Sequence, residues 1–159
     1  MKYFFDTEFI EDGKTIELIS IGIVADDGRE YYAEVENIPW DTASDWVLVN
    51  VKPHLLGGEY VKSRSQIAEE IRKFISGNAP QFWAFCGAYD WVVLNWLYGP
   101  MIEHPSKWPY YHMELSQLSK DKGISKSAWP KQEGTEHNAL EDAKWNKKLY
   151  EFLTESEIN

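Results

Sequence analysis

Residues 3–8 of the chain are YFFDTE, in which three apolar residues run directly into Asp6, Thr7 and Glu8. A short apolar run of this kind predicts a buried strand. Successive side chains of a strand point to opposite faces, so Asp6 and Glu8 should leave the same face. Two carboxylates beside a hydrophobic core repel each other and are costly to desolvate. A divalent cation between them would remove that conflict; two unrelated acids at a solvated strand end are the alternative.

The composition is that of a soluble globular protein. The 159 residues favour one domain, 1–159, and the hydrophobic fraction of 43% suits a single core. We find no signal peptide and no apolar run long enough to span a membrane. The single Cys86 cannot form an internal disulfide and is expected to be a small buried residue in a strand. These features predict a cytoplasmic protein without a membrane association.

The net charge of −10 argues against a protein that coats nucleic acid by charge alone. It is compatible with a protein whose acids hold metal ions. Aromatic residues make up 15% of the chain, and they can fill a core or stack on bases. An acidic chain that binds RNA would therefore need metals, stacking and a local basic rim.

The order of predicted elements indicates an α/β fold. Turn signals at 11–14 and 26–28 separate the first strand from predicted strands at 16–25 and 29–36, which suggests an antiparallel meander. A predicted helix at 63–76, with Ser65 as its N-cap, precedes an apolar run at 81–87. That run should pair in parallel with the first strand through a crossover.

Helices are also predicted within 42–51 and over 88–98, 114–122 and 137–153, with a short strand at 110–113. Asp90 falls in the first turn of the helix at 88–98, at the carboxyl end of a strand, where α/β sheets place ligand sites.

The start of the last helix carries a second informative pattern. Asn138 is a good N-cap, and Glu141 three residues later completes the Asn variant of a capping box. His137 then lies in the preceding loop, and Asp142 lies in the first turn, where the helix dipole favours a negative charge. A surface histidine and an aspartate that only stabilises the dipole are the structural alternatives.

Together, D-x-E at 6–8, Asp90 and the pair His137 and Asp142 resemble the DEDDh branch of the DEDD superfamily of 3′→5′ exonucleases. The runs YFFDTEFIEDGKTIELISIGIVADDGREYYAEV, GAYDW and HNALEDA further resemble ribonuclease AS, a polyadenylate-specific exoribonuclease family related to ribonuclease T and oligoribonuclease. The resemblance covers nearly the whole chain, and residues 37–58 are its least distinctive part.

The resemblance implies a ribonuclease-H-like fold, with a mixed sheet whose first three strands are antiparallel and which helices flank. It also implies two Mg²⁺ ions, replaceable by Mn²⁺, held by Asp6, Glu8, Asp90 and Asp142, with Asp6 bridging. Two such ions clamp the attacking and leaving oxygens of a phosphodiester. His137 would be the general base, a role that an imidazole commonly performs.

The implied reaction is hydrolysis of single-stranded RNA from its 3′ end, preferentially adenylate tails, releasing nucleoside 5′-monophosphates. A homodimer is also implied. Phe9, Tyr89 and Trp91 are candidates for base stacking, and Glu114 could accept from the adenine amino group. A loose basic cluster formed by Lys120, Lys122, Lys126 and Lys131 could contact phosphates.

Three alternatives stay open from the sequence. The enzyme could act on DNA 3′ ends or on very short oligonucleotides. The chain could be a catalytically silent module that binds RNA or a partner on the same fold. It could also be a structural domain without metals, in which the acids are merely exposed.

Overall fold

The computed structural model describes residues 1–155, so the last four residues of the predicted domain 1–159 lie outside the described part. Within it, the strands are β1 (Lys2–Glu11), β2 (Ile16–Ala25), β3 (Glu30–Val35), β4 (Val61–Lys62), β5 (Gln81–Ala84) and β6 (Met113–Glu114). The helices are α1 (Asp45–Asn50), α2 (Arg64–Phe74), α3 (Ala88–Trp96), α4 (Leu115–Asp121) and α5 (Ala139–Glu155). None of these helices is long and apolar enough to cross a membrane.

The strands form one mixed sheet in the order β4-β3-β2-β1-β5-β6. Strands β1, β2 and β3 are antiparallel, with Asp6 opposite Gly22 in the first pair. Strand β5 is parallel to β1, and Lys2 lies opposite Gln81. The predicted fold class, an α/β ribonuclease-H-like fold with an antiparallel meander and a parallel crossover, is therefore confirmed. The two-residue edge strand β4 was not predicted.

The alternation of β1 divides the molecule into two layers. Tyr3 and Phe5 pack with Phe82 and with residues of α2 and α3 on one face of the sheet. Phe4 packs on the other face against α4 and α5, where Leu149 and other residues are buried. Asp6 and Glu8 lie two and four residues after Phe4, so their side chains share its face and point towards α5. The side chain of Thr7 points to the other face, towards α3.

Helix α5 approaches the sheet unusually closely at Gly22. A Cβ atom on Gly22 would lie 2.3 Å from the carbonyl oxygen of Ala139 and 2.4 Å from the Cα of Leu140. One turn after Asp142, the buried Asn146 donates from Nδ2 to the Phe5 carbonyl at 2.9 Å. The start of α5 is thus held directly over the strand pair that carries Asp6.

Several predicted boundaries are corrected. The N-cap of α2 is Ser63, which accepts from the Gln66 N–H at 3.2 Å, and not Ser65. Strand β5 ends at Ala84, and Cys86 is exposed with a φ of 51°. The expectation of a buried strand cysteine was therefore wrong, because the chain turns sharply there to begin α3.

We expect Gly22→Ala to lower the free energy of unfolding by about 1–3 kcal/mol, the usual range for overpacking a filled site. The added methyl group meets main-chain atoms of residues 139–140, which cannot rotate away as a side chain could. Urea denaturation of the variant and the wild type measures the difference. Equal unfolding midpoints and slopes would show that α5 does not press on β2 at this position.

Candidate active site

The acids of β1 meet the start of α5, as their shared parity predicts. A bulge interrupts the pairing of β1 with β2 immediately after Glu8. Glu8 is 9% exposed. Asp6 lines a cavity together with Asp142 and Asn146 of α5. The D-x-E pattern therefore presents both carboxylates to the first turn of the last helix.

Asn138 fixes the beginning of α5 through both atoms of its amide. Its Oδ1 accepts from the N–H groups of Leu140, at 3.1 Å, and Glu141, at 3.2 Å, which confirms the predicted N-cap. Its Nδ2 donates to the carbonyl of His54 at 3.2 Å. The reciprocal half of the capping box does not form, because the Glu141 carboxylate pairs with Lys144 at 2.9 Å.

His137 precedes the helix in the left-handed region, with a φ of 63°. This conformation lets its N–H donate to Asp142 Oδ2 at 3.1 Å, while the Gln132 amide donates to Oδ1. One ligand atom each of Glu8, His137 and Asp142 lies within 4.8 Å of the others. The loop and the helix thus bring the predicted base and two predicted ligands to one point.

Asp90 joins the site from the opposite face of β1. It is 7% exposed, and its Oδ1 accepts from the Thr7 N–H at 2.9 Å and from the Thr7 hydroxyl at 2.5 Å. The middle residue of D-x-E therefore orients the fourth acid, a role that the sequence interpretation missed. The signal was present, since a residue between two same-face acids must point towards α3.

The electrostatics of the four acids are unfavourable without a cation. Burial, followed by the charges of Asp90, Glu8 and Asp142, raises the pKa of Asp6 well above its ordinary value. Burial and then the charge of Asp142 raise the pKa of Glu8 to about 8. Burial also raises the pKa values of Asp90 and Asp142. Oxygen donors concentrated in this way match the ligands that Mg²⁺ and similar divalent ions prefer.

Two aromatic contacts lie beside the acids. The rings of Phe9 and Tyr89 are 5.9 Å apart, and Tyr89 is exposed. Trp46 of α1, which is also exposed, stands edge-on to the His137 ring with centroids 4.8 Å apart. The sequence interpretation missed Trp46, although a tryptophan within the polar segment 37–58 was a usable signal.

Trp91 is placed differently from what the sequence suggested. It is 9% exposed and packs in the core against Phe5 and Phe82, and its Nε1 donates to the Tyr110 carbonyl at 3.2 Å. This packing leaves no ring face for a base. We therefore remove Trp91 from the candidates for base stacking.

Glu114 is occupied by internal partners. Its oxygens accept from the N–H groups of Cys86, at 2.8 Å, and Gly87, at 2.9 Å, and from the N–H and hydroxyl of Ser116. Burial opposes ionisation, but hydrogen bonds from His112, Ser116 and Gly87 outweigh it and lower the pKa of Glu114 to about 2. The carboxylate holds the turn before α3, so we do not retain it as a reader of adenine.

Residues 1–154 match the family described as the 3′-5′ exoribonuclease Rv2179c-like domain. The chain belongs to this family. It is accordingly an enzyme of the 3′-5′ exoribonuclease class.

Two curated relatives, 3′-5′ exoribonuclease Rv2179c and 3′-5′ exoribonuclease MT2234.1, come from two strains of Mycobacterium tuberculosis, H37Rv and CDC 1551. Each is 41% identical over 162 residues, which cover 99% of this chain and 95% of the relative.

Solved structures agree on the fold. Exonuclease I superposes with a TM-score of 0.61 at 12% identity, over 98% of this chain and 41% of that one. A 3′-exonuclease that recognises the histone mRNA stem-loop superposes with a TM-score of 0.55 at 10% identity, over 98% and 81% of the two chains. At these identities the likeness concerns architecture alone.

The raised pKa of Glu8 predicts a pH-dependent stability for the metal-free protein. Its folded value of about 8 exceeds its ordinary value of 4.5, so between these values the native state binds more protons than the unfolded state. The free energy of unfolding should therefore fall as the pH rises through this window. Denaturation in EDTA at several pH values measures the slope, which Glu8→Gln should reduce.

The matched control is Glu59→Gln, which removes an exposed carboxylate outside the site and should leave the slope unchanged. Adding Mg²⁺ at pH 8 should restore stability, because the cation binds the ionised acids of the native state only. A metal-free stability that stays flat or rises from pH 5 to 8 would contradict the assignment.

Proposed function

We propose that this protein is a metal-dependent 3′→5′ exoribonuclease whose metal ligands are Asp6, Glu8, Asp90 and Asp142 and whose general base is His137. The observation that supports it best is the convergence of Glu8, Asp142 and His137, with ligand atoms within 4.8 Å, in a site where the pKa values of four carboxylates are raised. Membership of an exoribonuclease family supports the same reaction class.

The donor set fits divalent cations with a preference for oxygen ligands. We propose two Mg²⁺ ions, which Mn²⁺ can replace, because four carboxylates supply charge to balance two ions. Bound ions of this kind activate water and stabilise a leaving oxygen. A role for His137 as a ligand is less favourable, since the other donors are all carboxylate oxygens.

The protein's own residues then position the proton acceptor and the substrate. His137 would take the proton of the attacking water on its imidazole ring, while its main-chain N–H holds Asp142. The near-perpendicular contact between the Trp46 and His137 rings restricts the orientation of the imidazole. Thr7 fixes Asp90 through two hydrogen bonds, so three elements of the fold, β1, α3 and α5, hold the acids independently.

For the substrate we propose single-stranded RNA 3′ ends, preferentially adenylate tails, with release of nucleoside 5′-monophosphates. The sequence resemblance to ribonuclease AS supports this preference. Phe9 and the exposed Tyr89 lie together next to Glu8 and Asp90 in the chain and offer ring surface to a terminal base. Stacking of this kind contributes about 1–3 kcal/mol per base and tolerates any base. Adenine preference therefore needs a further contact.

The test compares three 5′-labelled substrates in Mg²⁺: RNA with a 3′ adenylate tail, the same RNA with a mixed tail, and the matching DNA. We expect a ladder that shortens from the 3′ end, fastest on the adenylate tail and absent in EDTA. Asp6→Asn should abolish it in a folded protein, because the change removes a central charge of the cluster.

Equal ladders on the three substrates would contradict the adenylate preference and favour a broader DEDDh exonuclease. A faster ladder on DNA would favour DNA 3′ ends. No ladder from a folded protein that binds Mg²⁺ would contradict hydrolysis and favour the silent binding module. Near-normal turnover by Asp6→Asn would contradict the ligand assignment.

His137→Ala should slow hydrolysis by about 10²–10⁴-fold, the usual contribution of a positioned base. The acidic limb of the pH–rate profile should change with it, because the group that accepts the proton is gone. Single-turnover rates between pH 5 and 9 measure both effects. His54→Ala is the control, since His54 holds Asn138 through its main-chain carbonyl, which the change keeps. An unchanged pH–rate profile for His137→Ala would show that another group accepts the proton.

We also propose a cytoplasmic homodimer. An exposed lone thiol, Cys86, suits a reducing compartment. The end of α3 and the region after it expose large apolar side chains that suit burial against a second copy: Trp96, Met101, Ile102, Tyr110 and Tyr111.

Ile102 is 86% exposed, so Ile102→Asp should disturb an interface without disturbing the fold. Sedimentation velocity should show a wild-type dimer and a monomeric Ile102→Asp variant. Leu56→Asp, at another exposed apolar position, is the control and should stay dimeric. A monomeric wild type across micromolar concentrations would contradict the dimer.

A further inference from the structure

A cavity of about 670 Å³ opens beside the acids. Its lining includes Asp6, His137 and Asp142 of the candidate active site. It also includes Lys126 and Lys131, two of the four lysines that form the basic cluster in the sequence. Lys120 and Lys122 do not line it. The fold therefore selects two lysines from the cluster and places them around the same cavity as the reactive groups.

The wall of this cavity is aromatic and firmly anchored. The Trp129 indole N–H donates to Ser119 Oγ at 2.8 Å, and the Trp145 indole N–H donates to the Pro130 carbonyl at 2.9 Å. Phe85 meets both indole rings edge-on, with centroids 5.3 and 5.4 Å away. The loop between α4 and α5 is thus fixed at residues 129 and 130, and Gln132 connects it to Asp142.

The two lysines are available to an anion. Both are exposed, and neither ammonium group pairs with a carboxylate among residues 1–155. The neighbouring lysines on α5 are different, since Lys144 pairs with Glu141 and Lys148 with Glu133. Besides Asp6 and Asp142, the lining contains one further acid, Glu136. In a protein with a net charge of −10, these cations are a local exception.

We propose that this cavity is the groove for the RNA strand on the 5′ side of the reacting phosphodiester, with Lys126 and Lys131 contacting its phosphates. The inference rests on the proposed function and adds the path of the substrate to it. Phe9 and Tyr89, the candidates for stacking on the terminal base, do not line the groove. The cavity therefore offers a separate surface, continuous with the acids, for the part of the chain that is not released.

The groove has the chemistry that single strands require. Lysines neutralise phosphates without reading sequence, and an aromatic wall beside them suits unpaired bases. Because the cluster of carboxylates repels a polyanion, the nucleotides nearest the site gain most from a cationic groove. The lysines should therefore govern how well a long strand is held and leave the chemical step unchanged.

The test is the double variant Lys126→Gln/Lys131→Gln, assayed on an adenylate dinucleotide and an adenylate decanucleotide. We expect KM for the decanucleotide to rise about tenfold and kcat to stay unchanged. The variant loses two phosphate contacts, each about as strong as an exposed ion pair. KM for the dinucleotide should stay within about twofold, since it has no further phosphates to contact the groove. The slope of log(kcat/KM) against log[salt] for the decanucleotide should become shallower by about 1.4.

The control is Lys73→Gln/Lys107→Gln, which removes the same charge from exposed positions outside the groove and should leave all these values unchanged. An equal rise in KM for both substrates would overturn the proposal and place the terminal nucleotide in the cavity. An equal loss in both double variants would also overturn it, because it would show a long-range charge effect.

A second readout separates this proposal from the proposed function. Fluorescence anisotropy of a labelled decanucleotide measures binding without hydrolysis. If the wild type cleaves RNA but the groove variant binds and cleaves like the wild type, the groove assignment fails and the proposed function stands. If the wild type cleaves nothing, the proposed function fails. In that case the groove assignment still stands if the groove variant binds the decanucleotide at least about fivefold more weakly than the wild type, as expected from the loss of exposed ion pairs. Equal binding by the two proteins would overturn it.

Discussion

The gathering of four carboxylates, Glu8 and Asp90 buried and Asp6 and Asp142 half-buried, where β1, α3 and α5 meet is the constraint on which the rest of the structure depends. Removing carboxylates from water and placing them near one another disfavours their ionised form. The pKa values of Asp6, Glu8, Asp90 and Asp142 are raised for this reason. A fold keeps such an arrangement only if other interactions hold the acids in place. A cation bound among these acids would replace their repulsion with attraction and so stabilise the folded state. Metal binding would therefore serve both stability and the reaction.

The devices that hold the acids are local and independent of one another. Gly22 lets the first turn of α5 lie on β2, and Asn146 connects the same helix to β1. Asn138 caps α5 and connects it to the segment after α1, while Thr7 reaches through β1 to hold Asp90. None of these four residues is a proposed ligand. The site is therefore built by residues that position the acids as much as by the acids themselves.

Much of the fold and of the candidate site could be predicted from local sequence patterns. The parity of Asp6 and Glu8, the turns of the meander and the N-cap Asn138 each depend on neighbours in the chain, and the structure agrees with them. The failures depend on distant neighbours. Trp91, a candidate for base stacking, lies in the core because it packs against Phe5 and Phe82, and Cys86, expected in a buried strand, is exposed. The spacing of residues in the sequence also did not indicate that the main-chain N–H groups of residues 86 and 87 would donate to the Glu114 carboxylate.

The most direct test of the central claim is an anomalous difference map from crystals grown with Mn²⁺, measured at the manganese edge. We expect two peaks among the carboxylates of Asp6, Glu8, Asp90 and Asp142. In crystals of the Asp6→Asn variant, at least one of these peaks should be lost. Peaks elsewhere, with none among these acids in a well-ordered wild-type crystal, would contradict the metal site and the mechanism that depends on it.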